Sequence, residues 1–181
     1  MKGAQARAGG DEAFRRSAVA CLDGLYGFAL ALTRDRRAAE DLVQETYARA
    51  FAAARRPQPE ENLRGWLFTI LGNTWKNERK RKRPEPVADV ERLAPSRLPD
   101  PEAALDRREL RERLRAALDA LPDAFREVVV LRCVEGFSYQ EVASIVGCPA
   151  GTVMSRLARA RALLRHSLGP LHASRPGKVE A

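Results

Sequence analysis

Features that would direct a chain to a membrane, to a metal or to secretion are missing from this sequence. It contains no stretch of about eighteen apolar residues, which excludes a membrane-spanning helix and membrane insertion. Its first residues lack the apolar core of a secretory signal, so we expect a cytoplasmic protein. The 3 cysteines are widely scattered, and neither they nor the 2 histidines show the spacing of a metal site.

The sequence also lacks the motifs of enzymes. It has no phosphate-binding loop, no nucleophile motif and no carboxylate pair at metal-binding spacing, so we expect no catalytic residue, cofactor or metal. Positive charge is in excess, because 32 Lys and Arg outnumber 24 Asp and Glu to give a net charge of +8. This balance favours a polyanionic partner, either a nucleic acid or an acidic membrane face.

Residues 137–161 are typical of a helix-turn-helix, a motif that many proteins use to bind duplex DNA. Ser138 and Glu141 have the spacing of a capping box at the start of the first helix. Gly147 supplies a permissive backbone for the turn, and Pro149 suits the first position of the second helix. The second helix combines an apolar stripe with polar faces. An ordinary helical hairpin with a basic, solvated face is the alternative interpretation.

Helical periodicity extends over the rest of the chain and predicts an all-α fold. Apolar residues recur at helical spacing in five further segments, at about 11–32, 36–54, 63–81, 101–121 and 122–136. Residues 84–101 hold 5 prolines and little periodicity, which is typical of an extended linker. The sequence therefore predicts two small helical domains joined by a proline-rich linker, with the helix-turn-helix in the C-terminal domain. The predicted parts are a disordered N-terminus, the first domain, the linker, the second domain and a tail: 1–10, 11–83, 84–101, 102–168 and 169–181.

The predicted helix at 63–81 ends in a strongly basic run. Asn62 is placed to cap its start, and 6 of the 8 residues in 76–83 are Lys or Arg. With Asn73 and Asn77, these cations suit single-stranded or partly melted DNA, which requires phosphate neutralisation and hydrogen bonds to base edges. Trp75 continues the apolar stripe of the helix, so we expect it to lie mainly in the core. A solvated, basic helix end is the alternative for the run itself.

Three stretches follow one another in an order that is more specific than any single motif. They are AAEDLVQETYARAF at 38–51, LRGWLFTILGNTWKNERKRKR at 63–83 and LPDAFREVVVLRCVEGFSYQEVASIVGCPAGTVMSRLARARALLR at 121–165. Together they resemble the extracytoplasmic-function sigma factors, short two-domain transcription initiation factors of the bacterial sigma-70 family. The first two stretches are similar to conserved region 2 of that family, and the third is similar to region 4.

The resemblance implies a factor that binds core RNA polymerase and directs initiation by recognising minus-thirty-five duplex and melted minus-ten DNA. It assigns core-polymerase binding to Asp41, Leu42, Gln44 and Glu45. It assigns minus-ten DNA to the loop at 57–62 and to Asn73, Lys76, Asn77, Arg79 and Lys80. Minus-thirty-five DNA is assigned to seven residues of the second helix: Thr152, Met154, Ser155, Arg156, Ala158, Arg159 and Arg161. An anti-sigma factor is implied as a further partner by the family alone.

Two residues depart from the family pattern. Met154 stands where many relatives have Lys or Arg, which leaves the preferred minus-thirty-five sequence in doubt. Gly72 lies inside the helix assigned to minus-ten DNA, where it either allows a close backbone approach or loosens the helix, since glycine costs about 1 kcal/mol relative to alanine there. The alternative function is a helix-turn-helix regulator that binds duplex operators without polymerase. Such a regulator would not need the acidic face at 41–45.

Overall fold

The computed structural model describes residues 12–54, 57, 62–82 and 107–168, and every regular element in these ranges is helical. An N-terminal block contains α1 at 12–19, α2 (Leu22–Thr33), α3 (Arg36–Ala52) and α4 (Leu63–Lys82). A C-terminal block contains α5 (Arg107–Ala120), α6 (Asp123–Val129), α7 (Tyr139–Val146) and α8 (Ala150–Leu168). The all-α prediction is therefore confirmed. The predicted N-terminus at 1–10, the linker at 84–101 and the tail at 169–181 lie outside the described residues.

The first predicted helix is divided into two by its contact with α3. The Tyr47 hydroxyl of α3 donates a hydrogen bond of 2.7 Å to the carbonyl of Ala18, near the end of α1. The same carbonyl accepts a hydrogen bond of 3.0 Å from the amide of Cys21, which lies three residues later in the chain. An α-helical hydrogen bond would come from the amide four residues later, so the regular pattern of the helix stops here. The continuous helix expected over 11–32 is wrong for this reason.

Side-chain caps fix where the next helices begin. Asp35 precedes α3, and its carboxylate accepts a hydrogen bond of 2.8 Å from the Ala38 amide. Asn62 precedes α4 with a φ of 56°, and its side-chain oxygen accepts from the Gly65 amide at 3.0 Å. Each bond satisfies an amide that has no partner within its helix. The predicted cap at Asn62 is confirmed.

The β-branched run at 128–131 is helical, as predicted, but the helix changes its pitch there. A single π-helical segment, Val130–Val134, follows α6, and the Glu135 amide donates to the carbonyl of Val130 at 2.9 Å. Such a bond spans one more residue than an α-helical bond. Gly136, with a φ of +76°, then allows the chain to turn toward α7.

The helix-turn-helix forms as its local signals predict. The Ser138 side chain accepts from the Glu141 amide at 3.2 Å, and the Glu141 carboxylate accepts from the Ser138 amide at 2.8 Å. Gly147 ends α7 in the left-handed region, with a φ of 75°. Pro149 lies one position earlier than expected, just before α8, where its carbonyl accepts from the Thr152 amide at 2.9 Å.

One hydrophobic core runs through both blocks, because α4 packs against α7 and α2 packs against α6. Phe68 of α4 and Phe137 before α7 are both buried, and their rings meet edge to face with centroids 5.0 Å apart. Arg126 of α6 is fully buried, and its guanidinium donates to the carbonyl of Leu118 at 2.9 Å and to that of Ala31 at 3.2 Å. The blocks thus share both apolar and polar contacts.

Candidate nucleic-acid interface

The exposed face of α3 is acidic and polar. Asp41, Gln44 and Glu45 are exposed, whereas Leu42 is only 1% exposed and belongs to the core. Glu45 also forms an ion pair of 2.7 Å with Arg49, one turn further along the helix. Of the four residues assigned to core polymerase, three therefore share an exposed surface, whereas Leu42 packs in the core beneath it.

Helix α4 presents an exposed polar strip beside a buried stripe. Asn73, Asn77 and Lys80 are exposed and recur at helical spacing on the strip. Lys76 and Arg79 adjoin it, but both turn toward the C-terminal block. Lys76 forms an ion pair of 3.1 Å with Glu127, and Arg79 forms one with Asp123. The five residues assigned to minus-ten DNA thus lie together: four are exposed and Lys76 is half-buried, and Lys76 and Arg79 are ion-paired.

The two tryptophans near this strip belong to the packing of the N-terminal block. Trp75 is 8% exposed, which agrees with the core position expected for it, and the Arg79 guanidinium lies 5.1 Å from its ring centroid. Trp66 is half-buried and meets Phe14 edge to face with centroids 6.3 Å apart. Of the loop at 57–62, only Pro57 and Asn62 belong to the described residues.

Helix α8 separates packing residues from polar residues. Val153, Leu157 and Ala160 are buried against the rest of the C-terminal block. The residues assigned to minus-thirty-five DNA lie on the other faces, where Thr152 and Arg156 are half-buried and five are exposed: Met154, Ser155, Ala158, Arg159 and Arg161. A helix with this division can pack on its own domain and still enter a major groove.

Two polar contacts hold the beginning of α8. The Ser155 hydroxyl donates to the Thr152 carbonyl at 2.9 Å. The Arg156 guanidinium lies 3.9 Å from the Cys148 sulfur, so its side chain folds back along the turn. Arg159, one turn beyond Ser155, remains exposed and can extend away from the domain.

Two carboxylates of the C-terminal block have shifted pKa values, and the shifts have opposite directions. Burial raises the pKa of Glu127 above its ordinary value, although the nearby Lys76 partly opposes this effect. In contrast, the hydrogen bond from the Ser138 backbone lowers the pKa of Glu141. The described residues include no group of three or more His, Cys, Asp or Glu side chains that is arranged to hold a metal ion.

Sequence reasoning did not find the partners of the α4 cations. Asp123, Glu127 and Glu135 are separated from α4 by more than forty positions in the chain, and no local pattern links them to it. One signal was available in the sequence. Residues 1–83 contain 17 basic and 10 acidic residues, and this excess of positive charge indicates that the N-terminal block has an anionic partner.

Family models match both blocks of the chain. Residues 19–85 match the model "Sigma-70 region 2", and residues 111–164 match "Sigma-70, region 4". The chain is 39% identical to an ECF RNA polymerase sigma factor, EcfG, of Rhodopseudomonas palustris, over 84% of this chain and 83% of that protein. The chain belongs to the extracytoplasmic-function sigma factors. As a member of that family, it directs transcription initiation.

Two solved structures have a similar fold. One is the sigma factor RpoE of Bartonella quintana in complex with the anti-sigma factor NepR, with a TM-score of 0.64 and 36% identity, covering 84% of this chain and 94% of that one. The other is CnrH in complex with the cytosolic domain of CnrY, with a TM-score of 0.62 and 27% identity, covering 89% and 90%. Within the described part of this sigma factor, no helix is long and apolar enough to cross a membrane.

Proposed function

We propose that this sigma factor binds core RNA polymerase through α3, reads the melted minus-ten element with α4 and reads the minus-thirty-five duplex with α8. The observation that carries the proposal is the polar, exposed face of α8 opposite a fully packed apolar stripe. Its neighbours in the same domain hold the helix rigidly, so its exposed side chains are available for a ligand.

Recognition of the minus-thirty-five element divides between base edges and phosphates. Arg159 has the reach and the two parallel N–H groups that suit a guanine edge in the major groove. Arg161 and the half-buried Arg156 suit phosphates, which position the helix without reading sequence. Met154 is 51% exposed and has no charge, so it favours an apolar contact such as a thymine methyl group.

Capture of the minus-ten element requires contacts to an unpaired strand. The amides of Asn73 and Asn77 can hydrogen-bond to base edges, while Lys76, Arg79 and Lys80 can neutralise phosphates. Unpairing a base costs a few kcal/mol, and these contacts offset that cost once polymerase holds the factor at the promoter.

Core-polymerase binding is assigned to the acidic face of α3, formed by Asp41, Gln44 and Glu45. This face belongs to a different helix from the basic strip of α4, so the N-terminal block offers exposed residues of both signs of charge. The anti-sigma factor NepR in one of the related complexes suggests a third partner, and we propose that this chain is also held by a protein of that kind.

Run-off transcription with purified core polymerase tests the proposed function. We expect the factor to produce discrete transcripts whose start sites share minus-ten and minus-thirty-five sequences. An operator-binding regulator would instead bind duplex DNA without polymerase and yield no transcript from core enzyme alone, a result that would contradict our assignment. Co-purification with core polymerase separates a failure of polymerase binding from a failure of promoter recognition.

A further inference from the structure

The exposed face of α8 is uncharged where the helix begins. All of 150–158 belong to the described residues, and four of them are exposed: Gly151, Met154, Ser155 and Ala158. The one charged side chain of this segment, Arg156, is half-buried and folds back to within 3.9 Å of the Cys148 sulfur. Exposed cations of α8 begin only at Arg159. The first part of the helix therefore presents a different chemistry from the rest of it.

This uncharged part is the end of the helix that reaches bases. In a helix-turn-helix, the N-terminal residues of the second helix contact base edges in the major groove. Direct hydrogen-bond readout of bases relies mainly on Arg, Lys, Asn and Gln, and none of the exposed residues in 150–158 is of these types. The Ser155 hydroxyl already donates to the Thr152 carbonyl at 2.9 Å. Apolar contact is therefore the main means of direct readout that remains at this end.

Met154 dominates the apolar part of this surface. It is 51% exposed, and Ala158 lies one turn later on the same face, so the two side chains form a short apolar strip. A Cβ at Gly151, three positions before Met154, would meet nothing within 4 Å, so the space beside the strip is open. Methionine is unbranched and flexible, which lets its side chain follow the surface of a ligand.

The cations around the strip indicate which ligand covers it. Single exposed apolar side chains are common on proteins and need no ligand. Around the axis of α8, however, the strip lies between the exposed Arg159 on one side and the exposed Arg161 on the other. Guanidinium groups on both sides suit the phosphates that border a groove. A duplex held by these two residues would therefore cover Met154.

The major groove offers one apolar group to such a strip. Thymine carries a C5-methyl group there, and the other bases present hydrogen-bond donors and acceptors. A cytosine methylated at C5 presents the same methyl group. Guanine at this position would place its N7 and O6 acceptors against Met154, which has no donor for them, and unpaired acceptors that lose water are costly. The strip thus favours a methylated pyrimidine and disfavours guanine.

We propose that Met154, with Ala158 beside it, reads the C5-methyl group of a pyrimidine in the minus-thirty-five element and thereby contributes to promoter choice. This role rests on the proposed function, because it requires α8 to lie in the major groove. Contact between the thioether and the methyl group removes both from water, which stabilises the complex. Recognition through Arg159 thereby gains a second base that is read without a hydrogen bond.

The spacing along α8 predicts which base pair carries the methyl group. Arg159 lies five residues beyond Met154, which is about 7.5 Å along the helix axis. Successive base pairs are about 3.4 Å apart, so a helix that lies along the groove places these two side chains about two base pairs from each other. Methyl recognition should therefore map about two steps away from the base pair whose recognition depends on Arg159.

The first test removes the methyl group alone. Uracil pairs as thymine does and keeps the same hydrogen-bonding groups, but it lacks the C5-methyl. Each thymine of the minus-thirty-five element is replaced by uracil, one at a time and on either strand, in the promoter duplex that run-off transcription identifies. Binding of holoenzyme containing the full-length factor should fall about three- to fivefold at one or two neighbouring positions, which is the effect of exposing one methyl-sized group.

Variants of α8 assign this loss to one side chain. Met154→Ala should bind the unmodified duplex about three- to fivefold less tightly than the parent, and uracil should then cause no further loss. Met154→Leu restores an apolar side chain of similar size and should restore the sensitivity to uracil. Arg161→Ala is the matched control, since loss of a phosphate contact should weaken binding to every duplex and leave the uracil effect intact.

A second set of duplexes separates the methyl group from the rest of the thymine. At the sensitive position, the thymine–adenine pair is replaced by a cytosine–guanine pair, with or without a C5-methyl on the cytosine. The parent should bind the methylated form about three- to fivefold more tightly than the unmethylated one, and Met154→Ala should bind both equally. Equal binding of the two forms by the parent would contradict recognition of the methyl group.

The methionine content of the chain provides a direct readout. The sequence contains 2 methionines, Met1 and Met154, so isotope labelling of methionine methyl groups places one reporter on α8. In holoenzyme, the NMR signal of the Met154 methyl group should shift when the thymine duplex is added and shift less with the uracil duplex. A general loss of structure would not distinguish two duplexes that differ by one methyl group.

Three results would overturn the proposal. Met154 is not a base reader if no uracil substitution weakens binding by the parent, or if Met154→Ala remains as sensitive to uracil as the parent. Loss of co-purification with core polymerase in Met154→Ala, with promoter preference unchanged, would assign the side chain to a protein interface instead. Failure of the proposed function looks different, because the parent would then form no complex with the unmodified promoter.

Discussion

Leu157 and Arg159 are two positions apart on α8, and we expect their truncations to have opposite effects. Leu157 is 2% exposed in the core of the C-terminal block, whereas Arg159 is exposed. Leu157→Ala removes buried side-chain volume and should cost about 2–5 kcal/mol of unfolding free energy. For a cooperative unit of this size that loss corresponds to a melting temperature lower by about 4–20 °C.

Arg159→Ala should leave the melting temperature nearly unchanged, because an exposed side chain contributes little to packing. It should instead reduce the preference for one base pair of the minus-thirty-five element. A bidentate arginine–guanine pair contributes about 1–3 kcal/mol of discrimination, which is a factor of about 5 to 150. Leu157→Ala should lower transcription from every promoter alike, since it weakens the helix that carries all the contacts.

The assays are thermal melts and run-off transcription from promoters that differ by single minus-thirty-five bases. Arg165→Ala is the matched control, because Arg165 is exposed near the end of the same helix and its loss removes the same charge. Full retention of sequence preference in Arg159→Ala would refute its assignment as a base reader. A parent-like melting curve for Leu157→Ala would refute the packing of α8 described above.

Three further predictions concern other parts of the chain. Asp41→Lys should weaken co-purification with core polymerase without lowering the melting temperature, and an unchanged yield would contradict the docking surface on α3. Asn73→Ala should alter which minus-ten sequences are used, whereas Lys80→Ala should weaken promoter binding on all of them and reduce the salt dependence of that binding. If Asn73→Ala lowers binding equally on every sequence, Asn73 is not a base reader. Because the capping box lowers the pKa of Glu141 below its ordinary value of 4.5, the carboxylate stabilises the fold above that value and loses this contribution as the pH falls through its lowered pKa. Melts of Glu141→Gln should therefore lie below those of the parent at neutral pH and converge with them in acid, and a constant difference would argue against the capping contribution.

Local sequence signals predicted the features that depend on neighbouring residues. The cap at Asn62, the capping box of Ser138 and Glu141 and the left-handed turn at Gly147 each involve residues within a few positions of one another. Periodicity likewise predicted the exposed faces of α3 and α8, because one turn of helix sets which side chains share a face. For these features the backbone geometry of a single element is sufficient.

Tertiary contacts decided the features that local patterns did not predict. The break before α2 depends on the Tyr47 hydroxyl, which reaches the Ala18 carbonyl from another helix. The burial of Leu42 beside the exposed Asp41 and Gln44, by contrast, agrees with the helical periodicity of α3, and only the family resemblance grouped Leu42 with the exposed residues.

The sequence by itself determined an all-helical chain with a helix-turn-helix, a helix that ends in a basic run and membership of the sigma factors, since these follow from periodicity, caps and the order of its motifs. Only the tertiary structure decided that Lys76 and Arg79 meet Glu127 and Asp123 across two blocks. The physical reason is that an ion pair between distant segments depends on how whole helices pack against each other. The spacing of residues within one helix does not specify which carboxylate lies next to which cation.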